Sequence, residues 1–315
     1  MLSILAPRRS GRRRYSDSSG INEARDLPRW VEKHSLCRVG VYSLDGPTQL
    51  FPDKKIIMAI DTVHEVEARL AALEKRYGIR ILYAVEAGSR SWGYPSPDSD
   101  YDVRFIYAYD YRRYLELTPP ADVIENHDDE LWDIVGLGHP QEPHAPQEGN
   151  PSIAQWLYAP IVYRQNREFV QAMRDLLHIT NPRTRLYWAY RSTAHSLVQE
   201  YILGKDEVNY KKLLFTVQST LAMRWVETRD AIAPSLFSEL VSELVTDESL
   251  LAEIDGLVRI KSESDNVEGS KRLFPNLLRF IEDSFSETQP PFAEDILISD
   301  APFNRFLLRV LDLPA

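Results

Sequence analysis

The chain has 315 residues, of which 43% are hydrophobic and 27% charged, a composition typical of soluble globular proteins large enough for two domains. Its net charge of −10 argues against a protein coated in basic surface for general nucleic-acid binding, but it allows a local basic patch. The single cysteine, Cys37, excludes an intrachain disulfide framework, and no apolar run could cross a bilayer, so we expect a cytoplasmic protein with no membrane partner.

Residues 1–57 are predicted to be an extension that is partly disordered. Five arginines precede the first acidic residue, and such Arg- and Ser-rich beginnings also occur in organelle transit peptides. Because the segment lacks a convincing amphipathic pattern, a disordered tail is the favoured interpretation, and organelle targeting by residues 1–30 is the alternative. Met58 is a second candidate for the start of the protein.

Residues 58–150 are predicted to form a small α+β domain with a mixed sheet. The stretch "DTVHEVEARLAALEKRYG" begins with a cap candidate, has apolar residues at helical spacing and ends at a glycine, which predicts a helix. Two strands are predicted in "IRILYAVEAG" and "YDVRFIYAY", the first ending at a glycine turn. Further along, "DVIE" and "ELWDIVGL" are predicted to be a hairpin partner and a central strand.

Residues 151–315 are predicted to be an all-helical second domain. Six segments in this part carry apolar stripes with a period of 3.6 residues, separated by Pro, Asn or Gly. No repeat of fixed period is present.

Three acidic residues, Asp98, Asp100 and Asp102, lie within five positions at the start of the second predicted strand. Residues at i and i+2 of a strand project from the same face, so we expect Asp100 and Asp102 to point together. A divalent cation such as Mg²⁺ would relieve their mutual repulsion. Asp133 in "ELWDIVGL" is the best candidate for a third carboxylate, which would complete a site for two ions used in phosphoryl transfer.

Two simpler interpretations compete for these acids. Asp98 alone is better explained as part of a solvated turn in "PSPDSD". A calcium-binding EF-hand loop would need Gly and Glu where the chain has Val103 and Tyr109, so that interpretation fails.

The turn "AGSRSWG" before the acids supplies groups for holding phosphate. Gly88 would let the backbone approach a ligand closely, and Ser89 offers a hydroxyl and an N–H at the start of a predicted helix. Arg90 and Arg104 are candidate charge partners, either for phosphate or for the carboxylates themselves.

The stretch "GSRSWGYPSPDSDYDVRFIY", residues 88–107, resembles the signature of predicted nucleotidyltransferases of the DNA polymerase β superfamily, specifically the YcgL/RlaP-like family. Gly88-Ser89 and Asp100-x-Asp102 match the superfamily pattern in order and spacing. The longer match, which includes Trp92-Gly93, Ser96, Asp98-Ser99 and Val103-Arg104, is far more specific than an isolated Asp-x-Asp.

The resemblance implies a polymerase-β-like fold and transfer of a nucleotidyl group from an NTP to an acceptor hydroxyl, with Mg²⁺ or Mn²⁺. It implies that the metal ligands are Asp100, Asp102 and Asp133, with Asp133 closest to the acceptor oxygen. The residues expected to contact the nucleotide are Gly88, Ser89, Arg90, Ser99, Arg104, Lys211 and Lys212. The two lysines also fit a solvated helix face, and neither the NTP, the acceptor (RNA end, protein or small molecule) nor the oligomeric state follows from the sequence.

The chain departs from the family pattern at several positions. Ala87, Gln155 and Gln218-Ser219 replace the expected Ser, Glu and Arg-Pro. The largest departure is residues 138–151, where four prolines exclude the basic amphipathic helix of the family, and the spacing of His139 and His144 suits a loop rather than a metal site.

One hypothesis for this segment is that compensating single-base insertions and deletions scrambled it. With one choice of synonymous codons, the segment read one base later encodes a basic amphipathic helix. The alternative function is therefore a catalytically impaired nucleotide- or RNA-binding protein of the same fold. A scaffold without nucleotide affinity is the third hypothesis.

Overall fold

A computed structural model describes residues 60–129, 131–138, 150–229, 231–264, 266–286 and 299–313. The predicted extension 1–57, the candidate start Met58 and nearly all of the proline-rich segment, with His139 and His144, lie outside the described residues.

The described residues form ten α-helices and seven strands, together with shorter helical turns. The first part contains α1 (Ile60–Tyr77), β1 (Ile79–Glu86), α2 (Gly88–Trp92), β2 (Tyr101–Tyr109), β3 (Val123–Asp129) and β4 (Trp132–Gly138). The second part contains α3 (Pro151–Leu157), β5 (Val162–Gln165), α4 (Arg167–Thr180), α5 (Arg183–Leu197), β6 (Glu207–Asn209), α6 (Tyr210–Thr228), α7 (Phe237–Leu244), α8 (Glu248–Glu263), β7 (Glu268–Ser270), α9 (Pro275–Ser284) and α10 (Ala301–Val310).

Five strands form one mixed sheet in the order β3-β4-β2-β1-β5. The pair β2–β4 is parallel, and the other three pairs are antiparallel. The predicted helix, the two strands around the glycine turn and the hairpin before residue 138 are therefore confirmed, as is the α+β class with a mixed sheet. The sheet places β2 and β4, which carry Asp102 and Asp133, side by side.

One face of the sheet is covered by α1. The helix buries Val66, Leu70 and Leu73, the residues at helical spacing, against strand residues such as Val103 and Phe105. The residues of β2 that pack against α1 are the odd-numbered ones, from Val103 onward. The even-numbered Asp102 and Arg104 therefore lie on the other face of the sheet.

The opposite face of the sheet shares a core with the helices that follow residue 150. Leu82, Val85 and Ile106 belong to the same buried cluster as the residues of α3 to α10. Helix α6 lies inside this cluster and buries twelve of its residues. The second part is mostly helical, as predicted, but it also contains the short strands β5, β6 and β7.

Strand β5, which follows residue 150 in the chain, is an edge strand of the sheet. It pairs with β1 through Tyr83–Gln165 and its neighbours, so the sheet includes residues on both sides of the predicted domain boundary. The division at residue 150 remains a prediction. Among the described residues, no helix combines the length and apolar character that crossing a membrane would require.

Candidate active site

The aligned strands β2 and β4 bring two of the predicted carboxylates together. Asp102 lies directly beside Asp133 in the parallel register. Neighbouring residues in register on adjacent strands project from the same face of a sheet, so both carboxylates share one surface. The structure thus places Asp133 on the same side of the sheet as Asp102.

The guanidinium of Arg104 connects these two acids. Its Nη2 donates to Asp102 Oδ1 at 3.1 Å and to Asp133 Oδ2 at 2.7 Å, while Nη1 donates to the carbonyl oxygen of Asp133 at 2.8 Å. Of the two partners that the sequence suggested for Arg104, phosphate or the carboxylates, the structure shows the carboxylates. Charge-assisted bonds of this kind hold both side chains in fixed positions.

The pKa of Asp102 reports how closely the acids are grouped. Burial raises this pKa to about 6, Arg104 opposes the rise, and the nearby charges of Asp100 and Asp133 add to it. Lys211 acts on the same carboxyl in the opposite direction. Asp100 and Asp133 are therefore close enough to act electrostatically on Asp102, as is one of the two predicted lysines.

Gly88 lies directly against the carboxylate of Asp102. Its φ angle is +61°, and a Cβ atom at this position would lie 1.9 Å from Asp102 Oδ2. The preceding N–H, of Ala87, donates to the carbonyl oxygen of Asp102 at 2.7 Å. Glycine is required here both for the left-handed backbone and for the close approach.

The hydroxyls of the turn form a buried cluster behind Gly88. Ser89 is 4% exposed and Ser99 is fully buried. The Ser99 oxygen accepts from the Ser89 hydroxyl at 3.1 Å, from the Ser96 N–H at 3.0 Å and from the Lys261 ammonium at 3.1 Å. Ser99 was grouped with the nucleotide-binding residues from the sequence, but it lies beneath Ser89.

Arg90 holds the acidic loop in place. Its Nη2 donates to the carbonyl oxygen of Ser99 at 2.7 Å, and its Nε donates to that of Asp100 at 3.1 Å. Asp98, in contrast, is exposed, in keeping with a solvated turn.

The two lysines at the start of α6 have different neighbours. Lys212 Nζ lies 5.0 Å from the ring centroid of Tyr201, whereas Lys211 acts electrostatically on Asp102.

Four side chains stack on one another at the first residues of β2 and β4. The rings of Tyr101 and Trp132 stack with centroids 4.5 Å apart, Arg90 lies 3.9 Å from the Tyr101 centroid, and Arg69 lies 4.8 Å from the Trp132 centroid. Stacking and cation–π contacts of this kind favour one alignment of the two strands. The stack therefore supports the register that pairs Asp102 with Asp133.

Glu86 is a buried acid that the sequence analysis did not select. It is fully buried at the end of β1, accepts from the Asp102 N–H at 2.9 Å and receives the Tyr163 hydroxyl from β5. Burial raises the pKa of Glu86 to about 8, although both hydrogen bonds act to lower it. An acid at the end of the strand "IRILYAVE", whose other residues are apolar or aromatic except for Arg80, was the available signal.

The donor atoms at this site are of the type that a hard divalent cation prefers. Asp102 and Asp133 are in register, Asp100 is close enough to act on Asp102, and all three offer carboxylate oxygens. Within the described ranges, however, no three His, Cys, Asp or Glu side chains form a ready metal-binding group. The donor chemistry fits the cation that the resemblance implies, and in the structure Arg104 lies between two of the carboxylates.

Comparison with known proteins gives two findings. Residues 63–306 match the family described as "RlaP: RNA repair pathway DNA polymerase beta family". The chain is also 35% identical over 205 residues to "Uncharacterized protein YcgL" of Bacillus subtilis (strain 168), an alignment that covers 65% of this chain and 78% of that protein.

Proposed function

Because the chain belongs to the RNA repair pathway DNA polymerase beta family, we propose that it transfers a nucleotidyl group from an NTP to the hydroxyl of an RNA end. The family supports nucleotidyltransferase chemistry in general, and its RNA repair description favours RNA over a protein or small-molecule acceptor. The observation that carries the proposal is the in-register pair Asp102 and Asp133, with Asp100 within electrostatic reach.

In the proposed reaction, the acceptor oxygen attacks the α-phosphorus of the NTP. The bond from that phosphorus to the bridging oxygen breaks, pyrophosphate leaves, and Asp133 accepts the proton of the acceptor hydroxyl. No side chain forms a covalent intermediate, so positioning and electrostatic stabilisation account for most of the rate enhancement.

Asp100, Asp102 and Asp133 are the residues that would hold Mg²⁺ or Mn²⁺. When bound, the cation supplies positive charge that offsets the charge on the phosphate oxygens. The chain's own contribution is to orient the carboxylates, which Arg104 and the Gly88 turn do through direct contact with Asp102 and, for Arg104, also with Asp133.

The phosphates of the NTP are proposed to lie at the Gly88–Ser89 turn. The backbone of Gly88 is close to Asp102, so a phosphate held there would lie beside the carboxylates. Lys211 at the start of α6 is the side chain proposed to balance the triphosphate charge, since it already acts electrostatically on Asp102.

The test is an incubation of the protein with each α-labelled NTP, Mg²⁺ or Mn²⁺ and total RNA. The double variant Asp100→Ala, Asp102→Ala should lose label transfer by roughly 100-fold or more, because the electrostatic stabilisation of the transition state is removed. Asp98→Ala is the matched control, since Asp98 lies in the same loop but is exposed, and it should retain transfer.

Two results would contradict this function. Transfer that survives in the double variant would show that the carboxylates do not carry the chemistry. NTP binding without labelling of any acceptor, by wild-type protein that is folded, would favour the nucleotide- or RNA-binding protein without catalysis.

A further inference from the structure

Lys261 is a buried lysine that links the helical part of the chain to the acid-bearing loop. It lies on α8 and is 1% exposed, and its Nζ donates to the Ser99 oxygen and lies 5.7 Å from the ring centroid of Tyr94. Lysine is rarely buried so completely, because removing the ammonium from water is costly. Its position calls for an explanation in terms of the groups it contacts.

The Ser99 oxygen receives more donors than it can fully accommodate. The Ser89 hydroxyl, the Ser96 N–H and the Lys261 ammonium all donate to it at 3.0–3.1 Å, and the Ser96 hydroxyl oxygen, which can accept the proton of Ser99, also lies 3.1 Å away. A hydroxyl oxygen has two lone pairs, so three donors compete for it. The Ser96 N–H is fixed by the backbone and the Lys261 side chain is enclosed by the core, whereas the Ser89 O–H can rotate about its C–O bond toward another acceptor.

We propose that Lys261 is a positioning residue that keeps the Ser99 oxygen occupied and so makes the Ser89 hydroxyl available to a triphosphate oxygen. The inference rests on the proposed function, since it takes the Gly88–Ser89 turn as the triphosphate site. Lys261 lies beneath the turn and acts through Ser99 without touching the nucleotide. Without the ammonium, the Ser89 hydroxyl no longer competes for a lone pair of Ser99, so its bond to Ser99 becomes stronger and the triphosphate loses a hydrogen-bond donor.

Calorimetric titration of the full chain with inorganic triphosphate and with ATP, each with Mg²⁺, tests this role. Lys261→Met should weaken binding about 3- to 10-fold, the equivalent of one hydrogen bond. In a Ser89→Ala background the same substitution should have no further effect, because the hydroxyl on which it acts is gone. A purely structural role would weaken binding equally in both backgrounds.

Lys271→Met is the matched control. Lys271 is also partly buried in the helical part and donates to a backbone carbonyl, that of Ile202, at 3.1 Å. Its replacement removes a comparable hydrogen bond away from the serine cluster, so triphosphate affinity should not change. Thermal unfolding of each variant checks that it is folded.

Ser99→Ala gives a second test that does not require the Lys261 variant to fold. It removes the competing acceptor, so triphosphate affinity should be unchanged or higher even though stability falls. Weaker binding in Ser99→Ala, or unchanged binding in folded Lys261→Met, would overturn the inference and leave the proposed function standing. Triphosphate binding with the expected variant effects but no transfer would overturn only the proposed function, and wild-type protein that binds no triphosphate would overturn both.

Discussion

A comparison of two glycines with nearly the same backbone conformation distinguishes the free-energy cost of a left-handed backbone from that of a steric clash. Gly78 and Gly88 have φ angles of +63° and +61°, but an added Cβ meets nothing within 4 Å at Gly78 and Asp102 Oδ2 at 1.9 Å at Gly88. Gly78→Ala should destabilise the protein by roughly 1–2 kcal/mol, the cost of a left-handed L-residue. Gly88→Ala should cost more and should also abolish label transfer, because the carboxylate of Asp102 must move.

Denaturant unfolding and the label-transfer assay, applied to both variants, check this expectation. Equal losses of stability with transfer retained in Gly88→Ala would show that the contact with Asp102 can relax without consequence. The comparison is informative because each variant adds the same methyl group in the same backbone region.

At the scale of single residues, the sequence allows prediction of those site residues whose positions follow from local spacing along the chain. The strand pattern around Asp133 predicted a strand that the structure places in register with Asp102, whereas Asp100 lies just before β2 and acts on Asp102 electrostatically. Lys261 and Glu86 were not selected, because their contacts are long-range: Lys261 meets Ser99 at a separation of 162 residues, and Glu86 meets Tyr163 at 77. The acid at the end of β1 is a local signal for Glu86, but no local pattern indicates the distant partners of either residue.

At the scale of secondary structure, the stacked rings at the start of β2 and β4 determine how well the acids are aligned. Trp132→Leu should destabilise the protein by roughly 1–3 kcal/mol, because a 7% exposed ring and its stacking on Tyr101 are lost. Label transfer should fall as well, since Asp133 is the next residue along the strand.

Trp188→Leu is the control for this substitution. Trp188 is 41% exposed on α5, so its replacement should change stability by no more than about 0.5 kcal/mol. The free energies of unfolding of the two variants, measured with denaturant, give the comparison. Similar values for both would mean that the stack does not hold the strand ends.

The long elements were predictable, whereas the short ones were not. Helix α1 has apolar residues at helical spacing, and β1 and β2 are apolar and aromatic runs of eight and nine residues. Strand β5 has only four residues and lies between helical segments, so its apolar pattern does not distinguish a strand from a helix turn. Its place at the sheet edge is set by Tyr83 and neighbouring residues of β1, far away in sequence.

At the scale of the whole molecule, the sheet and the helices depend on each other. Residues 58–150 alone would lack β5 and would expose Leu82, Val85 and Ile106, which the helices bury in the full chain. This fragment should show no cooperative thermal unfolding, whereas residues 58–315 should unfold in a single transition. Calorimetry of the two fragments makes the measurement.

A cooperative transition in the shorter fragment would contradict this dependence and would support an independent domain ending at residue 150. The domain division was predicted from a change in composition, and composition does not reveal which faces of a sheet are covered. The shared core depends on which helices pack on each face of β1 and β2, and these contacts join residues far apart in the sequence.

The bridge formed by Arg104 has a consequence for the order in which the site is assembled. Arg104 Nη2 contacts both Asp102 and Asp133, so the positive charge of the guanidinium reduces the repulsion between the two carboxylates while the strands pair. The two strands can therefore pair in this part of the sheet without a divalent cation, so folding of the sheet should proceed equally well in the presence of a metal chelator.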